Sequence, residues 1–183
     1  MKDKSITLSA DLLGALNNVP LDEDDEDFDG SGEMVWSDRP LPNHGVVYWE
    51  LAFTGENLSD GDELGSGYVV GVSNAEYFAA NPNPNLFATG KGVWGWTDDR
   101  GCVEDGVVDD DIVTERPYHC YRANDRVGVL ADMGAKRLQF YKNGQKMEGV
   151  VVRGFPEDVR IVTTPYNRGV TATLSFPLGP AQD

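Results

Sequence analysis

The chain has few residues that could form disulfides or bind a metal ion. It contains two cysteines and two histidines in 183 residues, and Cys102 and Cys120 lack the spacing of metal ligands. We expect both cysteines to be reduced thiols of an intracellular protein. A chain of this length buries roughly two-thirds or more of the surface that its unfolded state exposes. We therefore predict a single domain that folds without a disulfide, a metal or a cofactor.

Long apolar runs are also missing. No stretch approaches the roughly eighteen apolar residues of a membrane-spanning helix, and the opening residues MKDKS are not followed by the apolar core of a signal peptide. The sequence predicts a soluble, unexported protein of the cytoplasm or nucleus that does not bind membranes.

Positive charge is scarce. There are 15 basic against 31 acidic residues, a net charge of −16. Without the seven acidic residues between Asp22 and Asp29 the balance is 15 against 24, or −9, which is still acidic. Such a field repels phosphate backbones and anionic lipid surfaces, so we exclude nucleic acid as a partner.

The clearest positive signal is an alternation of apolar and polar residues between Asn124 and Met147. A period of two indicates a strand with one buried face. A short connection, Met133–Ala135, separates the first two strands, and Asn143-Gly144 is typical of a type I′ turn. The predicted inward positions are Val127, Val129, Ala131, Leu138 and Phe140. The stretch therefore predicts a three-stranded meander whose apolar face needs a second layer.

Other segments of the chain predict further short strands. They are Ile6–Leu8, Met34–Trp36, Val46–Thr54, Tyr68–Ser73, Gly92–Thr97, Val150–Val152, Val159–Thr163 and Gly169–Phe176. The face of Val46–Thr54 that carries Trp49 should lie in the core. The strand Tyr68–Ser73 is expected to pair with Val46–Thr54. Ser9–Leu16 could form a turn or two of helix capped by Ser9. Asp98–Glu115 is expected to be a long loop with one short strand.

Four signatures, in order, resemble those of the SPRY domain family. They are GVVYWEL at Gly45–Leu51, YVVGVS at Tyr68–Ser73, GVWGW at Gly92–Trp96, and NDRVGVLAD at Asn124–Asp132 followed by LQFYKNG at Leu138–Gly144. The resemblance implies an all-β, two-sheet antiparallel sandwich of concanavalin-like appearance. It also implies a protein-interaction module, since SPRY domains serve that purpose in many intracellular eukaryotic proteins.

The resemblance divides the chain into three parts. Residues 1–33 are an N-terminal extension with a short strand or helix and an acidic loop at 22–32 that we expect to be mobile. Residues 34–177 are the SPRY sandwich, and residues 178–183 are a C-terminal tail.

No motif points to catalysis. His119 and Cys120 are adjacent, and consecutive strand residues point to opposite faces, so they are poorly placed as a base and a nucleophile. Asp25, Asp27 and Asp29 have the spacing of a calcium loop, but Trp36 stands where an EF-hand needs its bidentate glutamate. We predict no metal site and no enzyme activity.

The resemblance implies that a protein or peptide partner docks on loops at one rim of the sandwich, including the loop after the GVWGW strand and the loop before the last strand. Arg39 and Tyr121 are added because they fall in predicted loops. The predicted partner-binding residues are Arg39, Trp96, Asp98, Asp99, Arg100, Tyr121, Tyr166, Asn167 and Arg168. We expect an acidic, monomeric adaptor. The alternative is a lectin-like sandwich that binds carbohydrate, with or without calcium at the acidic loop.

Overall fold

The computed structural model describes residues 6–8, 14–17, 35–37, 39–55, 69–74, 92–97, 101–105, 107–109, 121–163 and 170–179. Within these ranges there are thirteen strands in two antiparallel sheets and no helix, so the predicted all-β sandwich is confirmed. None of the described residues belongs to a helix long and apolar enough to cross a membrane.

The larger sheet has seven strands. In spatial order they are β1 (Ile6–Leu8), β2 (Gly14–Asn17), β13 (Val170–Ser175), β4 (Val46–Gly55), β9 (Arg126–Asp132), β10 (Arg137–Lys142) and β11 (Gln145–Arg153). The smaller sheet has six strands. Their order is β3 (Val35–Trp36), β12 (Val159–Thr163), β5 (Val69–Asn74), β6 (Val93–Thr97), β7 (Gly101–Glu104) and β8 (Val107–Asp109).

The core lies between the two sheets and is built from the alternate residues that the sequence pattern marks as apolar. Trp49 and Phe53 of β4 are fully buried, as is Phe140 of β10. Trp94 and Trp96 face them from β6 and are also buried. The predicted inward faces of the meander and of the Trp49 strand are therefore confirmed.

The meander turns where its turn residues predict. Asn143 and Gly144 both have positive φ, 51° and 85°, as a type I′ turn requires. Val150–Val152, predicted as a separate strand, is the second half of β11. A register irregularity interrupts the β10–β11 ladder, and there the buried Gln139 side chain donates to the carbonyl oxygens of Met147 at 2.9 Å and Val150 at 3.2 Å.

Three local expectations were wrong. Gly14–Leu16 lies in strand β2, where a short helix was predicted; its pairing with both β1 and β13 outweighs a weak local preference for helix. Strand β5 pairs with β6 and β12 and not with β4, which belongs to the other sheet. The predicted long loop after Thr97 contains two strands, β7 and β8, because each can extend the ladder that starts at β6.

The centre of the smaller sheet is buried on both faces, since every residue of β6 and all but the last of β5 are buried. Gly71 and Gly95 are paired across these strands. A Cβ on Gly71 would overlap the Trp94 carbonyl oxygen, and one on Gly95 would lie 2.7 Å from the Val70 carbonyl oxygen. The glycines of two family signatures thus allow β5 and β6 to approach closely.

Candidate functional site

Two of the predicted docking loops begin at neighbouring strand ends. Loop 98–100 follows Thr97, the last residue of β6, and loop 164–169 follows Thr163, the last residue of β12. In the ladders Thr97 pairs with Val69 and Thr163 pairs with Val70, so both strands end beside the start of β5. The strand ends that flank the two loops therefore lie at the same end of the sandwich, and only β5 separates them.

Six of the predicted docking residues lie outside the described part of the chain. They are Asp98, Asp99, Arg100, Tyr166, Asn167 and Arg168. Their role stays a prediction.

Trp96 and Tyr121 belong to the core beneath this end of the sandwich. Each is only 1% exposed, and their ring centroids are 5.0 Å apart in an edge-on arrangement. Tyr121 also stacks on Phe53 at 5.6 Å, and Trp96 lies edge-on to Phe140 at 5.8 Å. Neither residue offers a side chain to a partner in this conformation. The prediction for Tyr121 assumed that an irregular segment is exposed, whereas its ring inserts between the sheets.

Arg39 is exposed but lies elsewhere. Its neighbours run beside the first half of β12, where the Ser37 N–H donates to the Ile161 carbonyl at 2.9 Å and the Leu41 N–H donates to the Val159 carbonyl at 2.8 Å. Strand β12 reaches the docking end only at Thr163. The structure therefore does not bring Arg39 to the end of the sandwich that carries the two loops.

A hydrogen-bonded cluster that sequence reasoning missed stabilises the same end. The Asp125 carboxylate accepts hydrogen bonds from the Asn143 side-chain amide at 2.7 Å and from the Arg122 backbone N–H at 2.7 Å, and it pairs with the Lys142 ammonium at 2.9 Å. The Asn143 Oδ1 in turn accepts the Arg126 N–H at 2.8 Å. Both halves of the most specific family signature, NDR and YKNG, meet here. Their polar residues therefore hold the β10–β11 turn against the start of β9.

A second cluster, on the solvent side of the larger sheet, links the GVVYWEL signature to the NDRVGVLAD and LQFYKNG stretches. The Tyr48 hydroxyl donates to Glu50 Oε1 at 2.8 Å, and the Tyr48 ring lies edge-on to Tyr141 at 5.8 Å. Burial, and then the hydrogen bond to Glu50, raises the pKa of Tyr48 above its usual range. Gly128 supplies the space, because a Cβ there would overlap the Tyr48 hydroxyl. Tyr48 and Glu50 of the YWE motif are thus a packed, hydrogen-bonded pair with a structural role.

The described residues contain no cluster of three or more His, Cys, Asp or Glu side chains that could hold a metal ion. His44 is exposed, and Cys102 is a buried cysteine. His119, Cys120 and the Asp25–Asp29 spacing lie outside the described residues. The described residues form a packed two-sheet sandwich.

Comparison with solved structures finds the same architecture in SPRY domains. The PSpry domain of TRIM65 matches with a TM-score of 0.61 and 16% identity, over 96% of this chain and 88% of that one. The SPRY domain of human HERC1 matches with a TM-score of 0.63 and 13% identity, over 96% and 94%. A further human SPRY domain matches with a TM-score of 0.58 and 14% identity, over 93% and 94%. At these identities the likeness shows the fold alone.

Comparison with curated protein sequences finds no match. The family model for the SPRY domain matches residues 46–178, which is most of the chain and spans all four signatures except the first residue of GVVYWEL. The chain therefore belongs to the SPRY domain family.

Proposed function

We propose that this chain is a non-catalytic, monomeric interaction module of the cell interior that binds a protein or peptide partner through loops at one end of its sandwich. The observation that carries the proposal is the pairing of β12, β5 and β6, which brings the strand ends flanking loops 98–100 and 164–169 together. SPRY domains are known as protein-interaction modules, so membership of the family supports a role in protein binding.

The core beneath these strand ends suits a docking surface. Trp96, Tyr121 and Phe53 form one aromatic cluster there, and Asp125 and Asn143 fix the adjacent β9 and β10–β11 turn. Loops on a rigid base can vary in sequence without loss of the fold. Because a rigid base limits the ordering cost of binding, it also favours affinity.

Within the loops we assign the anchoring role to Tyr166 and Arg168, since tyrosine and arginine are enriched among the few residues that dominate interface energy. Asp98, Asp99, Arg100 and Asn167 complete the proposed surface, and Trp96 and Tyr121 support it from below. Arg39 would contact only a partner that extends along β12.

The net charge of the whole chain, −16, favours a basic or polar partner. The two loops themselves are neutral together, since Asp98 and Asp99 balance Arg100 and Arg168, so this preference rests on the charge of the chain around them. A basic partner should associate faster at low salt, and raising the salt should slow association more than it speeds dissociation.

The test is affinity capture with the wild-type chain, followed by measurement of the captured partner's affinity for Tyr166→Ala/Arg168→Ala. We expect binding to weaken by at least about 2 kcal/mol, roughly thirtyfold, with an unchanged melting temperature. His44→Ala/Glu157→Ala is the control, since both residues are exposed near the opposite end of the sandwich. Equal affinity in a folded double mutant would contradict the proposal.

A glycan array, probed with and without calcium, separates this proposal from carbohydrate binding. A protein-binding module should show no calcium-dependent glycan signal. Specific binding to a glycan, together with no captured protein, would favour the lectin-like alternative.

A further inference from the structure

The solvent side of the larger sheet carries an apolar strip on its last three strands. Leu130 of β9, Tyr141 of β10 and Val151 of β11 point away from the core, since their neighbours in the chain point into it. All three are only partly buried. Gln139 lies between Leu130 and Val151 in the ladders and is buried, with its side-chain amide turned to the carbonyl oxygens of Met147 and Val150.

Three arginines surround this strip. Arg137 and Arg153 are exposed and stand directly opposite each other on β10 and β11. Arg126 is exposed on the same side of β9, toward the other end of the strand. We call these residues and the strip the arginine face, composed of Arg126, Leu130, Arg137, Tyr141, Val151 and Arg153.

Among the described residues no carboxylate forms an ion pair with any of the three arginines. Arg137 Nη2 donates to the side-chain oxygen of Gln139 at 3.0 Å. Asp132 stands directly opposite Arg137 on β9 and offsets part of its charge, but its carboxylate accepts the Ala135 N–H at 2.9 Å and forms no ion pair with Arg137. Glu104 accepts the backbone N–H of Arg153 at 2.7 Å, and Glu50 accepts the hydroxyl of Tyr48.

The pairing of Arg137 with Arg153 has an energetic consequence. Like charges directly opposite each other on one face of an antiparallel pair are destabilising. A carboxylate bound between the two guanidinium groups would remove that repulsion, and guanidinium groups bind carboxylates through paired hydrogen bonds. The face is therefore suited to an anion from outside the chain.

We propose that the arginine face binds an extended acidic segment of another protein, with a carboxylate between Arg137 and Arg153 and an apolar side chain on Leu130, Tyr141 and Val151. Arg137 and Tyr141 are four residues apart on β10, roughly 13 Å along a strand. An extended peptide spans this distance with about four residues of its own. Arg137 and Arg153, which would hold the carboxylate, lie at the opposite end of the strands from loops 98–100 and 164–169, so one surface can fail while the other holds.

The net charge of the whole chain does not prevent this contact. Exposed charges farther apart than about 8 Å are largely screened at physiological salt. The attraction thus depends on close contacts at the arginines, and it should weaken as salt is raised.

The probe is a fluorescent peptide with the sequence DEDDEDFD, which has seven carboxylates and one phenylalanine and is found at Asp22–Asp29 of this chain. Binding to the full chain is followed by fluorescence anisotropy. We expect Arg137→Gln/Arg153→Gln to weaken binding at least about tenfold, since arginine is enriched among the few residues that dominate interface affinity. Replacing the acids of the peptide by Asn and Gln should abolish binding, and replacing its Phe by Ala should weaken it.

A matched control is available on β11 itself. Arg153→Gln and Gln145→Glu each lower the net charge by one, and both positions are exposed. Gln145 pairs with Lys142 and lies at the end of β11 opposite to Arg153. Arg153→Gln should weaken probe binding and Gln145→Glu should not. Arg153→Gln should not lower the melting temperature, because it removes a like-charge pair. Equal weakening by both, or no binding of the acidic probe, would overturn the proposal.

Deletion of residues 22–29 identifies the occupant. Unchanged probe affinity supports a separate acidic partner. If the deletion tightens binding severalfold, the acidic segment of the chain itself occupies the face, and the assignment to another protein is wrong.

Discussion

Replacing Gly128 by alanine tests whether the Tyr48–Glu50 pair is built into the sheet. The added Cβ would overlap the Tyr48 hydroxyl and lie 2.9 Å from Tyr48 Cζ. The ring has little freedom to move, because it is 8% exposed, lies against Tyr141 and is hydrogen-bonded to Glu50. Gly128 has no positive φ to complicate the comparison.

The expected cost has two parts. Forcing a methyl group into a packed site typically costs about 1–3 kcal/mol. Displacing the hydroxyl also removes a hydrogen bond to a carboxylate that is 9% exposed, a bond of a type that contributes about 1.5–3 kcal/mol. The two costs do not simply add, because a shift of the Tyr48 ring that relieves the overlap also breaks its hydrogen bond to Glu50. We expect Gly128→Ala to lower the free energy of unfolding by about 2–4 kcal/mol.

Urea unfolding monitored by tryptophan fluorescence measures this change. Gly134→Ala is the matched control, because a Cβ there meets only Asp132 Oδ1 at 3.5 Å and the residue is exposed; it should change stability by less than about 1 kcal/mol. In a Tyr48→Leu background, which removes the overlapping atoms, Gly128→Ala should cost less than half as much. If Gly128→Ala proves as harmless as Gly134→Ala, the packing argument is refuted.

Four further outcomes follow from the fold. Trp49→Ala should cost about 3–5 kcal/mol in urea unfolding, since the side chain is fully buried; a cost below about 1 kcal/mol would contradict the core assignment. Asn143→Gly, which keeps the positive φ but removes the bonds to Asp125 and Arg126, should cost about 1–2 kcal/mol, and a neutral effect would show that the cluster at the turn is dispensable. Because the pKa of Tyr48 is raised in the folded state, stability should fall as pH rises above about 10, where the unfolded tyrosine ionises first; Tyr48→Phe should flatten that decline in a pH series of melts. Deleting residues 22–32 and joining the flanks with a short Gly/Ser linker should leave stability within about 1 kcal/mol, and loss of cooperative unfolding would show that the segment is structural.

The parts of the fold that could be predicted are those encoded by local periodicity. The buried faces of β4, β9 and β10 follow from alternation, and the turn at Asn143-Gly144 follows from two residues that tolerate positive φ. The assignment of strands to sheets could not be obtained in this way. Strand β5 follows β4 in the described chain but lies in the other sheet.

The site was harder to predict than the fold, for a physical reason. Loop placement indicates an irregular backbone but not the direction of a side chain, and the ring of Tyr121 enters the core from such a segment. The cluster around Asp125 and Asn143 joins residues 18 positions apart. Its signal was present in the polar residues of NDR and YKNG, which a period-of-two pattern does not explain. The arginine face depends on the register that puts Arg137 opposite Arg153, which the sequence alone does not determine.

The most direct test of the proposed function is hydrogen–deuterium exchange of the chain with and without the captured partner. If the partner docks on these loops, amides in residues 98–100 and 164–169 should exchange more slowly on binding, with little change at His44 and Glu157 near the opposite end. Protection confined to that opposite end, with loops 98–100 and 164–169 unaffected, would contradict the proposed function.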